Sequence, residues 1–153
     1  MRRVAVVAGL IAASCVPAGA APLDVIFTGV VVDTCTIAVA TPGVLMLSGD
    51  GTILGSDQGL GVPATVTVLS IGSNTIALSA PVLETYPGGY IPGGETVEMN
   101  TTGLASNPVF TSLGIDFDIG LLSLSELFVN LKVTDPAGFT QGTYTAKTVL
   151  TCS

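Results

Sequence analysis

Residues 25–39 read VIFTGVVVDTCTIAV and residues 142–153 read GTYTAKTVLTCS. In the first stretch Val25, Phe27, Val31, Cys35 and Ile37 alternate with Thr28, Thr34 and Thr36, the period of two that belongs to a strand. Val30 and Val32 interrupt the alternation, so part of this strand is expected to be covered on both faces or to change sheet. In the second stretch Tyr144, Ala146, Leu150 and Cys152 fall on one face, and Thr145, Lys147 and Thr151 on the other. Each stretch carries one cysteine. If the two sulfurs meet, the first and last strands are neighbours and everything between them packs into one closed unit.

Between these ends, short periodic runs alternate with Gly- and Pro-containing turns. Val44–Leu47 and Thr52–Leu54 flank Ser48-Gly49-Asp50-Gly51 and predict a hairpin. Ala64–Ser70 and Thr75–Ala80, on either side of Ile71-Gly72-Ser73-Asn74, read as an antiparallel pair. Pro81 ends regular pairing or marks an edge, and Tyr86–Gly94, YPGGYIPGG, is a duplicated turn sequence expected to lie exposed. Thr96–Asn100, Ile115–Ile119 and Leu127–Thr134 are further amphipathic strands, and Asp135-Pro136-Ala137-Gly138 is a turn. Asn100–Phe110 reads as polar and irregular. Leu121–Glu126, where Ser123 and Glu126 have capping-box spacing, reads as one helical turn or a loop.

A chain of 153 residues that is 48% hydrophobic holds one domain with a substantial core. Nineteen glycines, no Trp and many Thr, Ser and Val residues favour an all-β chain. A Cys35–Cys152 bridge, which needs α-carbons about 4.4–6.8 Å apart, forms most easily if the first and last strands run parallel. A parallel first–last pair with seven or eight strands predicts an immunoglobulin-like two-sheet sandwich.

Arg2 and Arg3, the uncharged run Val4–Ala13 and the small residues Ala18-Gly19-Ala20 form the pattern of a signal peptide over residues 1–20, leaving 21–153 as a single domain. Export to the periplasm, cell surface or medium is expected, with no membrane span in the mature chain. Cys15, preceded by Ala12-Ala13-Ser14, admits a second reading as a lipidation site. Removal of the leader leaves Lys132 and Lys147 against eleven acidic residues, so the formal charge moves from −7 to −9. Such a surface lacks the cationic footprint of a nucleic-acid partner.

In an oxidising compartment, with Cys15 removed, Cys35 and Cys152 are the only pair that can form a disulfide. Closing so long a loop stabilises by up to about 4–5 kcal/mol in the chain-entropy picture. No His, and no Lys or Arg nearby in sequence, is present to activate either thiol.

The absence of His from the sequence removes Ser–His and Cys–His nucleophilic catalysis and imidazole metal ligation, and no cofactor is expected. Asp116 and Asp118 form a carboxylate pair suited to acid–base work or calcium, yet their alternation with Ile115, Phe117 and Ile119 is that of a solvent-facing strand surface. Asp50 in SGDGT has turn chemistry, and Asn100-Thr101-Thr102 is a formal glycosylation sequon read as chance. Tyr86 and Tyr90 offer large amphipathic area on a glycine-rich loop and are the candidate contact residues for a partner or glycan.

Phe27-Thr28-Gly29-Val30-Val31-Val32-Asp33-Thr34-Cys35-Thr36-Ile37 resembles the first strand of chaperone–usher fimbrial subunits. Gly142-Thr143-Tyr144-Thr145-Ala146 resembles the G-x-Y ending shared by pilins and spore-coat-U-like secreted proteins. The resemblance implies a non-enzymatic structural subunit of a bacterial surface fibre or coat, partnered by copies of itself or by other surface subunits. Pilins lack one strand and accept it from a neighbour. This chain departs from them: Ala21–Asp24 is too short a donor segment, and the second cysteine lies in the last strand. A Cys35–Cys152 clasp is expected to close the groove that pilins leave open. A self-contained secreted module binding a glycan or protein is the alternative.

Overall fold

A computed structural model describes residues 29, 33–120 and 122–153. The leader, Cys15, Val25–Thr28 and the interruption at Val30 and Val32 lie outside them. The described residues form no helix, and none is long and apolar enough to cross a membrane. The protein is all-β, and among the described residues every strand pairing is antiparallel.

Among the described residues twelve strands, more than the seven or eight expected, form three sheets. They are β1 (Thr34–Thr41), β2 (Met46–Leu47), β3 (Ile53–Gly55), β4 (Ala64–Ile71), β5 (Asn74–Leu78), β6 (Val82–Thr85), β7 (Thr96–Gly103), β8 (Asn107–Thr111), β9 (Ile115–Ile119), β10 (Leu122–Thr134), β11 (Thr145–Lys147) and β12 (Leu150–Cys152). The largest sheet runs β1-β4-β10-β3-β2, with β7 paired to β10 and β8 to β7. The second is β12-β5-β9 and the third β11-β6.

The hub of the large sheet is β10, whose length lets one edge hold β4 and then β3 while the other holds β7. Its alternation is sharp: Leu127, Val129 and Val133 are buried, whereas Phe128, Asn130 and Lys132 are only partly covered. Leu127 and Val129 join Val66 and Val68 of β4 and Met99 of β7 with Ile76, Leu78 and Ile119 of the three-stranded sheet in one apolar cluster. At ~25 cal/mol per Å² removed from water, this contact between sheets is the main source of cohesion.

The β2–β3 hairpin forms as its turn residues require. Asp50 Oδ1 accepts from Ser48 Oγ at 2.5 Å and from the Thr52 N–H at 3.1 Å, which holds the Asp50 carboxyl below the usual carboxylate range. Asp116 and Asp118 face solvent along β9, and Asp118 accepts from Thr75 Oγ1 at 2.9 Å.

Four expectations are corrected. The runs either side of Ile71–Asn74 do not pair; the turn carries the chain from the large sheet into the second one, so their apolar faces meet across the core. Gly72, at φ 91°, makes this corner, and a Cβ there would strike Asp33. The polar segment Asn100–Phe110 is not irregular but completes β7 and contains most of β8, because side chains stand in for apolar alternation. Thr101 Oγ1 accepts from the Asn107 N–H at 3.2 Å, and Asn100 Nδ2 donates to Pro108 O at 3.1 Å.

The described part of Leu121–Glu126 is extended, paired from Leu122↔Ile71 to Glu126↔Thr67, so the ladder with β4 overrides the local capping pattern. Finally, the first and last strands are neither parallel nor in one sheet. Strand β1 leaves the Gly72 corner and β12 arrives at it, as their registers with β4 and β5 require. The Cys35–Cys152 disulfide, with α-carbons 6.2 Å apart, therefore bridges two sheets. This bond is compatible with an oxidising, exported location.

Candidate functional site

The last strand divides where β5 gives way to β6. Pro81 has no N–H to continue a ladder, and Ser79 fills the break: its N–H donates to Val149 O and its Oγ accepts from the Val149 N–H, both at 2.9 Å. Strand β12 thus pairs with β5, and β11 with β6. The other edges of β1, β11 and β12 have no strand partner among the described residues.

Between those edges lies an apolar cavity of about 350 Å³. Ile37 of β1, Val66 of β4, Leu78 of β5, Leu131 of β10 and Leu150 of β12 line it, and Lys147 stands at its rim in an ion pair with Glu84. The disulfide lies next along both strands to this lining, Ile37 being two residues beyond Cys35 and Leu150 two before Cys152. The clasp ties the two sheets without filling the space between their edges. Chemically the cavity offers apolar area and backbone edges, the combination that receives an extended chain.

A second feature gathers all three tyrosines. Tyr90 lies beside Tyr86, with ring centroids 5.6 Å apart, stacks on Phe139 at 5.8 Å and meets Tyr144 edge-on at 5.3 Å. Phe139 and Tyr144 are perpendicular, also at 5.3 Å. Tyr86 is 43% exposed, but Tyr90 is only 6% exposed, so the YPGGYIPGG loop is anchored by its second tyrosine and presents its first. Burial, the neighbouring Asp135 carboxylate and the charge of Glu95 push the Tyr90 hydroxyl well above its ordinary pKa. Glu95 is held below its usual range by the Gly93 N–H, which donates to it at 2.6 Å.

Tyr144 closes the corner that precedes β11. Its hydroxyl donates to Thr140 O at 2.9 Å and lies 3.1 Å from Thr140 Oγ1. Gly142 has no Cβ, and a Cβ there would collide with the Pro87 ring, so the corner packs directly on the tyrosine loop. Sequence reading singled out Tyr86 and Tyr90 but missed Phe139 as the partner of Tyr90; its isolated place after Gly138 carries no periodic signal.

Asn100 and Lys132 are engaged in structure. Asn100, the sequon residue, lies in β7 and accepts from Asn130 Nδ2 at 3.0 Å. Lys132 pairs with Glu98 at 3.0 Å and sits 4.2 Å above the Phe110 ring. Among the described residues no three His, Cys, Asp or Glu side chains converge on a metal position. No protein-family model matches the chain, and no curated protein sequence matches it.

Proposed function

We propose that this protein is an exported, non-enzymatic structural subunit of the fimbrial or coat type, an immunoglobulin-like sandwich with one incomplete edge. The observation that carries the reading is the apolar cavity between the unpaired edges of β1 and β11–β12, tied but not filled by the Cys35–Cys152 clasp. A strand laid there would satisfy free backbone groups and cover Ile37, Val66 and Leu150 at once. The Tyr144–Thr140 bond supports the fold assignment, since a tyrosine bonded back to upstream backbone at a strand's start is a mark of such sandwiches. The partner is another subunit, a copy of this chain or a companion.

The test is oxidative refolding of residues 21–153 with and without a synthetic strand peptide copying residues 64–70, ATVTVLS. Self-association into subunit multiples, or a melting temperature raised by the peptide, is the expected result. A cooperative monomer at all concentrations, indifferent to the peptide, would sink the proposal.

A further inference from the structure

The Thr140–Tyr144 corner faces the β2–β3 hairpin across a cleft of about 400 Å³, separate from the cavity between the edges. Leu47 and Leu54 form one wall; Phe139, Thr140, Gln141 and Tyr144 form the other. We propose that this cleft binds a neutral saccharide.

Three features of the lining select that chemistry. The first is ring geometry: Phe139 and Tyr144 stand at 86° to one another, and Tyr90 packs on both, so the aromatic surfaces are fixed before any ligand arrives. Rings held this way suit the C–H face of a pyranose, whose weakly positive hydrogens complement the negative face of an aromatic ring.

The second is charge. No ionisable side chain other than Tyr144 lines the cleft, and the nearby Glu95 and Asp135 carboxylates are turned to backbone, accepting from the Gly93 and Ala137 N–H groups at 2.6 and 2.8 Å. In an acidic protein whose two lysines are both ion-paired, nothing here compensates a sulfate, phosphate or carboxylate.

The third is the polar lip. The exposed Gln141 carboxamide makes no hydrogen bond within the described protein and offers a donor and an acceptor in one plane, which matches adjacent sugar hydroxyls. Thr140 Oγ1 adds a hydroxyl already oriented by Tyr144. An apolar peptide or acyl chain would leave these groups facing carbon, whereas a sugar offers an apolar face and a hydroxyl rim together.

The test is to display oxidised 21–153 on an array of neutral, sialylated and sulfated glycans, then to titrate any ligand found. Retention of neutral glycans is expected, with affinity falling roughly tenfold in Gln141→Ala, the change that follows from losing one well-formed hydrogen bond. Leu124→Ala, at an exposed position outside the cleft, leaves affinity unchanged. Phe139→Ala also removes a ring packed on Tyr90, so Gln141→Ala, at an exposed position, carries the decision. No neutral glycan bound at millimolar concentration, preference for acidic glycans, or affinity indifferent to Gln141→Ala would each overturn the proposal. The readout is independent of strand capture, so neither result decides the other.

Discussion

The side-chain amide of Asn74 donates to Ser70 Oγ at 2.8 Å across the corner where the chain passes from the large sheet to the second, with Ile71 O at 3.1 Å and Thr34 O at 3.3 Å also in reach. Asn74 and Ser70 are both buried. One amide thus joins the start of β1, the end of β4 and the start of β5, beside the disulfide.

Asn74→Ala is therefore expected to cost about 2–3 kcal/mol, because it removes the bond and strands the Ser70 hydroxyl in an apolar setting. Urea unfolding measures it. The double variant Asn74→Ala with Ser70→Ala should recover part of the loss, since the orphaned hydroxyl then disappears.

Reduction of Cys35–Cys152 is expected to lower stability by up to about 4–5 kcal/mol, given a sequence separation of 117. The comparison is a thermal melt of oxidised and reduced protein, with the Cys35→Ser, Cys152→Ser double variant as a check. Two titratable thiols in the native protein purified under oxidising conditions would contradict the clasp.

Leu127→Ala, at the centre of β10 and fully buried, should cost roughly 2–5 kcal/mol through lost transfer energy and a cavity between the sheets. Leu124, three residues earlier on the same strand, is 71% exposed, and its replacement by Ala should stay within about 0.5 kcal/mol. Equal effects in denaturant titrations would refute the assigned facing of β10.

Tyr144→Phe keeps the ring packing with Phe139 and Tyr90 but deletes the hydrogen bond to Thr140 O, for an expected loss of about 0.5–1.5 kcal/mol. An unchanged unfolding midpoint would mean that the corner is held by ring contacts alone.

The pH dependence has two limbs. Tyr90 titrates higher folded than unfolded, where its value is about 10.0, so its contribution is intact below pH 10 and is lost as alkali deprotonates it in the folded state. Glu95 titrates lower folded than unfolded, so its contribution is present above its unfolded value of 4.5 and fades as pH falls below that. Melting temperatures of Tyr90→Phe and Glu95→Gln should lose the alkaline and acid slopes respectively. Wild-type slopes in either variant would show that another group is responsible.

The all-β class, the β2–β3 hairpin, the bounds of β9 and the facing of Leu127–Thr134 were legible because alternation and turn residues act over a few positions. So was the cysteine pairing, since so few sulfurs leave little choice. The strand character of Leu122–Glu126 and Asn107–Thr111 was not legible, because those segments are extended by partners distant in the chain. Tyr86 and Tyr90 were visible as a pair of aromatics in a glycine-rich loop. That Tyr90 is buried while Tyr86 is exposed depends on Phe139 and Tyr144, more than 45 positions away.

The sequence by itself determined that the segment around Cys35 and the C-terminal stretch would contribute strands, that their cysteines would meet, and that no histidine chemistry is available. Only the tertiary structure decided that β1 and β12 belong to different sheets and run in opposite directions. The reason is the corner at Gly72 and Asn74: whether a four-residue turn pairs its two strands or sends one across the core depends on which partners claim their edges. Here β10 and β1 take β4, and β9 and β12 take β5. The cysteine bridge consequently clasps two layers and leaves an apolar space beside it.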